Sequence, residues 1–168
     1  MNTSTIFIRS LVAGALTLAL TACTEITTSP SAIEQLADEY LDAMLEEDAL
    51  MGTYYAIEGA RHDRLPDNSL AGLAAWQEKE DAWLSALEGI SAPTEIGSRD
   101  WVTYGLLKEQ LESAVGTRLC RDELWAASTT TSWHTSIPFV FGIQPLETPE
   151  LRAQALTRFA AMPTYIDN

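Results

Sequence analysis

Four hydroxyl-bearing residues, Ser31, Ser69, Ser98 and Thr148, each stand just ahead of a run whose apolar residues recur every three or four positions. Nothing else in the chain constrains its fold as strongly. A helix leaves its first four N–H groups without intrahelical acceptors, and a side-chain oxygen at the N-cap position supplies one. Ser31-Ala32-Ile33-Glu34 has the form of a capping box, in which hydroxyl and carboxylate each answer a backbone donor. Ile33, Leu36, Ala37, Tyr40, Leu41, Met44 and Leu45 follow at helical spacing, leaving Glu34, Asp38, Glu39, Asp42 and Glu46 mostly on the other side. Residues 48–57 read as a shorter helix that ends near Gly59.

The same logic sets the later elements. Ser69 opens a helix to Glu88 with Gly89 as its stop and a stripe of Leu73, Trp76, Trp83, Leu84 and Leu87. Ser98 opens another, with Asp100 in the first turn, where the helix dipole favours it. Its stripe is Trp101, Tyr104, Leu107, Leu111 and Val115. Thr148-Pro149 starts a further helix that displays Leu151, Ala155, Phe159 and Met162, and Pro163 interrupts it. Residues 116–147 give no clear period: Trp125, Trp133, Phe139, Val140 and Phe141 lie among threonines, serines and two prolines. No strand alternation is visible, so the expected fold class is all-α, an irregular helical array.

The amino-terminal residues read as an address. Arg9 and the free amine precede Leu11 to Leu20, an apolar stretch that suits a secretory signal and is too short to span a bilayer comfortably. Leu20-Thr21-Ala22-Cys23 resembles a bacterial lipobox, which implies cleavage before Cys23 and acylation of its thiol and new amine. Stable anchoring takes about two acyl chains, so such a protein stays on its membrane. Residue 24 is Thr rather than Asp, which favours the outer membrane, facing the periplasm, over the inner one. The expected organisation is therefore a signal peptide over 1–22, a lipidated cysteine and flexible tether over 23–31, and a helical domain over 32–168. That domain reads as truncated, because Tyr165-Ile166-Asp167-Asn168 opens an element that does not continue and residues 133–141 have little partner surface.

Charge removes one class of partner. The 24 acidic residues against 10 basic ones, a net −14, leave no basic stripe for phosphates, so no nucleic-acid partner is expected. The partners expected are the membrane, through the lipid, and either the missing carboxy-terminal portion or another protein. Charge alone does not attach this chain to an anionic lipid surface.

Candidate chemistry is sparse. With Cys23 acylated, Cys120 has no disulfide partner, and it reads as a buried or half-buried thiol without a base beside it. A zinc hydrolase of the zincin type needs two histidines about one helical turn apart and a glutamate beside them. Only His62 and His134 exist; they read as an exposed loop histidine and an ordinary one near Trp133. No catalytic residue, metal ligand or cofactor is therefore assigned to this chain. The carboxylates Glu46, Glu47, Asp48, Glu78, Glu80 and Asp81 read as solvated faces. The loop from Gly59 to Asn68 is the better candidate, since loops held between rigid helices often carry function. Asp63, Arg64 and Asp67 are its substrate-facing candidates, against a structural role in which Asp63 and Arg64 pair locally and Asp67 or Asn68 caps the turn.

Three blocks carry a family resemblance. They are Gly59 with Asp63-Arg64-Leu65-Pro66-Asp67-Asn68-Ser69, then Asp100-Trp101-Val102-Thr103-Tyr104-Gly105-Leu106-Leu107, then Ile143 to Arg152 with Arg158-Phe159 and Met162 to Asp167. Together they resemble the bacterial domain-of-unknown-function family 885. That resemblance implies a longer, mostly helical, often lipid-anchored protein similar to zinc-dependent peptidases. It also implies a metal site built from a His-Glu pair and a later Pro-Gly-His-His, neither of which occurs here, so zinc is expected only in full-length relatives. The preferred expectation is an envelope lipoprotein forming the amino-terminal helical portion of a metal-dependent peptidase-like protein, without its catalytic motif. The alternative is a non-enzymatic helical lipoprotein that binds a partner or ligand through Trp125, Trp133, Phe139 and Phe141.

Overall fold

The computed structural model describes residues 29–124, 129 and 132–168. The signal peptide, Cys23, most of the tether and Trp125 lie outside the described residues. α1 spans Ala32–Glu47 and starts on the expected capping box: Glu34 N–H donates to Ser31 Oγ at 3.1 Å, and Ser31 N–H donates to Glu34 Oε2 at 3.1 Å. The Ser31 hydroxyl also donates to Asp100 Oδ1 at 2.9 Å, which ties this cap to the first turn of a later helix. Asp48 ends α1 and caps α2, Ala49–Tyr54, by accepting from the Leu50 N–H at 3.0 Å. α2 stops earlier than expected because Ala56 turns left-handed at φ 52°, a conformation that costs an L-residue about 1–2 kcal/mol. Gly59, at φ 77°, then takes the chain into the loop.

α3, Leu70–Glu88, and α4, Arg99–Thr117, begin on the hydroxyls of Ser69 and Ser98, as read from the sequence. α3 packs along α4, and both lie against α1. Tyr40, Trp83, Leu87, Leu107 and Leu111 form the buried centre, with Leu36, Trp76 and Tyr104 packed around them. Trp83 meets Tyr40 edge-on at 5.3 Å and Trp76 at 5.5 Å. Leu87 and Leu111 are fully buried, which contributes about 1.5–3 kcal/mol each. Two expectations change here. Trp101, in the first turn of α4, is exposed. Glu80 is buried instead of solvated, because it accepts from Trp76 Nε1 at 2.7 Å and pairs with Arg118 at 3.0 Å.

Beyond α4, two short 3₁₀ turns, Arg118–Cys120 and Asp122–Leu124, are joined by Arg121 at φ 52°. Cys120 sits there exposed, not buried or half-buried, since neither turn has a packing face over it. The segment without a clear period contains α5, Trp133–Ile143, with Pro138 inside it; α2 packs against this helix. Thr148 caps α6, Pro149–Ala160, and Pro163 does not merely interrupt it but sits in the first turn of α7, Met162–Asp167. α6 differs from expectation in its inward face: Phe159 is exposed and Arg158 is fully buried. The described residues form helices and turns with no strand, an all-α array as expected. No helix among them is long and apolar enough to cross a membrane.

Candidate functional site

The loop between α2 and α3 is held from beneath by Arg158 of α6. A guanidinium carries five N–H donors in a fixed plane, and burying them is tolerable only when each finds an acceptor. Arg158 achieves this with neutral groups. Nε donates to the Arg64 carbonyl at 2.9 Å, and Nη2 to the carbonyls of Arg61 and Ala49, both at 3.1 Å. Nη1 donates to Thr53 Oγ1 at 2.9 Å and to Gln144 Oε1 at 3.0 Å. Two carbonyls of the loop and two groups of α2 thus converge on one side chain. Gln144, at the carboxyl end of α5, turns its amide nitrogen the other way and donates to the His62 carbonyl at 3.0 Å. Gln154 of α6 accepts from the His62 N–H, also at 3.0 Å.

His62 completes this polar layer. Its Nδ1 lies 2.7 Å from Thr53 Oγ1, and the residue is buried, which corrects its reading as an exposed loop histidine. Burial, and then the Arg158 charge, push its pKa below the ordinary imidazole value, while Asp63 pulls weakly the other way. The Arg158 guanidinium is itself held below its usual value by burial, yet arginine stays charged at any relevant pH.

The outer side of the loop is charged. Asp63 accepts from Arg61 Nη2 at 2.5 Å and lies 3.8 Å from Arg64 Nε, so the local pairing read from the sequence is present. The Arg61 hydrogen bond, above all, holds the Asp63 carboxyl below its usual range. Arg64 also pairs with Glu46 at the end of α1, and Arg61 stands 4.0 Å from the same carboxylate. Asp67 takes the capping role: its Oδ1 accepts from the Ser69 N–H at 3.0 Å, and the Ser69 hydroxyl, then this backbone donor, keep its carboxyl low. Asn68 donates to the Tyr165 carbonyl at 2.8 Å. Between this end of the loop and α7 lies an open cavity of about 410 Å³ lined by Leu65, Pro66, Asp67, Thr164 and Tyr165. Asp63 and Arg64 therefore share one outer surface with Arg61 and Glu46, while Asp67 faces a separate cavity at the start of α3.

The donors gathered at this loop do not suit zinc. Metal binding needs a neutral imidazole with a free nitrogen and unengaged carboxylates nearby. His62 Nδ1 is occupied by Thr53 beside a buried cation, and Asp63 is held by guanidinium groups. Among the described residues no group of three or more His, Cys, Asp or Glu could hold a metal ion. His134 lies on α5 against Trp133, with ring centroids 5.8 Å apart. The aromatic candidates scatter: Trp133 and Phe139 are exposed, and Phe141 meets Phe159 edge-on at 5.7 Å.

Sequence reasoning missed Thr53, Gln144, Gln154 and Arg158. One signal was present: Arg158 stands seven residues after Leu151 and three after Ala155, on the apolar stripe of its helix.

An all-α protein whose charged loop is seated on a buried arginine is what the fold and this site define. The chain belongs to the family described as Bacterial protein of unknown function (DUF885), which matches residues 48–168. The whole Arg158 layer falls inside that span. No curated protein and no solved structure matches the chain.

Proposed function

We propose that this chain is an exported, lipid-anchored envelope protein whose helical region forms one wall of a peptidase-like cleft, with the loop 59–68 facing the substrate. One observation carries the reading. The loop's backbone is fixed from behind by Arg158, Gln144 and Gln154, while Arg61, Asp63 and Arg64 are left at the outer surface. Rigid mounting of a polar loop is what positioning a substrate requires. Hydrolysis of a peptide or related amide would then fall to residues outside this set, because His62 and Asp63 are already engaged. Family membership supports the assignment to a bacterial protein, and the lipobox-like Leu20 to Cys23 supports anchoring.

The coding sequence past Asn168 supplies the first test: a His-Glu pair followed by Pro-Gly-His-His is expected, and a stop codon directly after Asn168 would count against the reading. In a chain carrying that segment, Arg61→Ala with Arg64→Ala should raise KM for peptide substrates without unfolding the protein. An unchanged KM would remove the loop from the substrate surface.

A second reading, a non-enzymatic lipoprotein that binds a small apolar ligand, is favoured by one groove. Phe141, Leu146, Leu156 and Phe159 line about 360 Å³ between α5 and α6, with Arg152 at the rim. That volume is in the range of small-molecule sites. Saturable binding of an apolar fluorophore, abolished by Leu156→Glu, would favour it.

A further inference from the structure

Thr53 Oγ1 is shared by two basic side chains. Arg158 Nη1 donates to it at 2.9 Å and His62 Nδ1 stands at 2.7 Å on the same oxygen. The hydroxyl's other neighbour, the Ala49 carbonyl, is farther, at 3.3 Å, and already accepts from Arg158 Nη2. The arrangement closes well with a neutral imidazole: the hydroxyl gives its proton to Nδ1 and receives one from the guanidinium. A protonated ring is different. Nδ1 then becomes a donor, and two cations point at one neutral oxygen in a layer where no carboxylate lies within ion-pair distance of Arg158 among the described residues.

We propose that His62 is an acid-operated latch: protonating its ring breaks the polar seat beneath residues 61–64 and frees the loop from α2, α5 and α6.

Burial disfavours a charged ring first, and the charges around it act in the same direction on balance. α6 presents Arg158, and α5 presents only the neutral Gln144 to this layer. α2 carries Asp48 at its amino cap, whose charge acts on Arg158 and not on the ring directly. The loop contributes Asp63, the group that favours a charged ring, and Asp63 is bound by Arg61 and flanked by Arg64. Glu46 of α1 is turned to those same arginines, and α7 offers Tyr165. Burial, and then the Arg158 charge, therefore outweigh Asp63. The released loop has an ordinary imidazole and the closed loop a depressed one, so closure is complete above the ordinary value and weakens as pH falls through it. The inference stands on the polar layer itself and does not require the loop to face a substrate.

The test is hydrogen exchange at the amides of residues 61–65 and 67, above all the His62 N–H held by Gln154, in the full chain from pH 7.5 to 5, corrected for the intrinsic pH dependence of exchange. The latch predicts that loop opening grows by about tenfold over that range while α3 and α4 stay protected. The chain has two histidines, so the His62 ring signal is readily resolved from that of His134 by NMR. It should move at the same pH as the loop amides. His62→Asn, which keeps a polar atom near the Nδ1 position without a titrating ring, should abolish the pH dependence. Should that variant not fold, the coincidence of ring titration and loop opening in the unmodified chain still decides. Opening that is flat with pH, or that persists unchanged in His62→Asn, would overturn the proposal, as would a ring that titrates without the loop moving.

Discussion

Arg158 donates to the Thr53 hydroxyl at 2.9 Å across a sequence separation of 105 residues. That bond belongs to a layer in which one guanidinium satisfies two loop carbonyls, one helix carbonyl, a hydroxyl and an amide. Nothing apolar could replace it without leaving several acceptors stranded in the interior.

Arg158→Met is accordingly expected to destabilise the fold by about 3–5 kcal/mol, since each orphaned buried acceptor costs about 1–3 kcal/mol and some will regain water. Arg158→Lys should recover little, because an ammonium cannot reach acceptors spread over a planar fork. Urea unfolding measures both. A loss under about 1 kcal/mol for the Met variant would mean that the layer is already hydrated.

Gly72 should respond oppositely to what local propensity suggests, and Gly59 in line with it. Alanine normally improves a helix interior by about 1 kcal/mol. A Cβ at Gly72 in α3, however, would come within 2.5 Å of the Asp67 carbonyl oxygen and 2.6 Å of its Cγ. Gly72→Ala must displace the turn and should cost about 1–3 kcal/mol, visible as a lower midpoint in thermal unfolding. Gly59→Ala meets no atom within 4 Å and carries only the backbone penalty of its φ of 77°, about 1–2 kcal/mol. Stabilisation by Gly72→Ala would contradict the packing described at the start of α3.

Glu80 and Arg118 should prove coupled. Glu80 accepts from both Trp76 and Arg118, and Arg118 also reaches Asp81 at 2.8 Å. Each single alanine variant should cost about 1–3 kcal/mol. The double variant should cost less than their sum by about 0.5 kcal/mol or more, because the second truncation removes a group already stranded. Strict additivity in a double-mutant cycle would show the pair to be independent.

Cys23→Ser tests the anchor. The unmodified protein should partition with membranes and carry an acylated first residue by mass spectrometry. The variant should be recovered in the aqueous fraction, since under the proposed reading the acyl chains would supply the attachment. Equal membrane recovery of both forms would place the attachment elsewhere.

Purified residues 24–168 should neither retain stoichiometric zinc by elemental analysis nor hydrolyse peptides, given that His62 and Asp63 are engaged. Metal-dependent turnover lost in His62→Ala would reverse that assignment.

The caps made most of this array legible. Ser31, Ser69, Ser98 and Thr148 each accept the backbone donor their position demands, so four helix starts were readable from short-range chemistry alone. α5 was not, because Pro138 removes a bond to the preceding turn and the apolar residues around it have no polar face to set a period. The outer loop was partly readable: Asp63, Arg64 and Asp67 lie where local pairing and turn chemistry put them. Its foundation was not. A rule that keeps arginine outside hides Arg158, and its acceptors are fixed only by tertiary packing. His62 was misplaced for the same reason, since its partner, Thr53, lies on α2 and not in the loop.

The two interiors of this protein are completed at different moments of synthesis. The aromatic and leucine centre draws on residues between Leu36 and Leu111, so α1, α3 and α4 can consolidate once little more than the first two-thirds of the chain has emerged. The arginine layer waits for residue 158, the last of its members to be made. Until then the segment around His62 has its neighbours but no keystone, and its backbone carbonyls wait without the donor that will hold them.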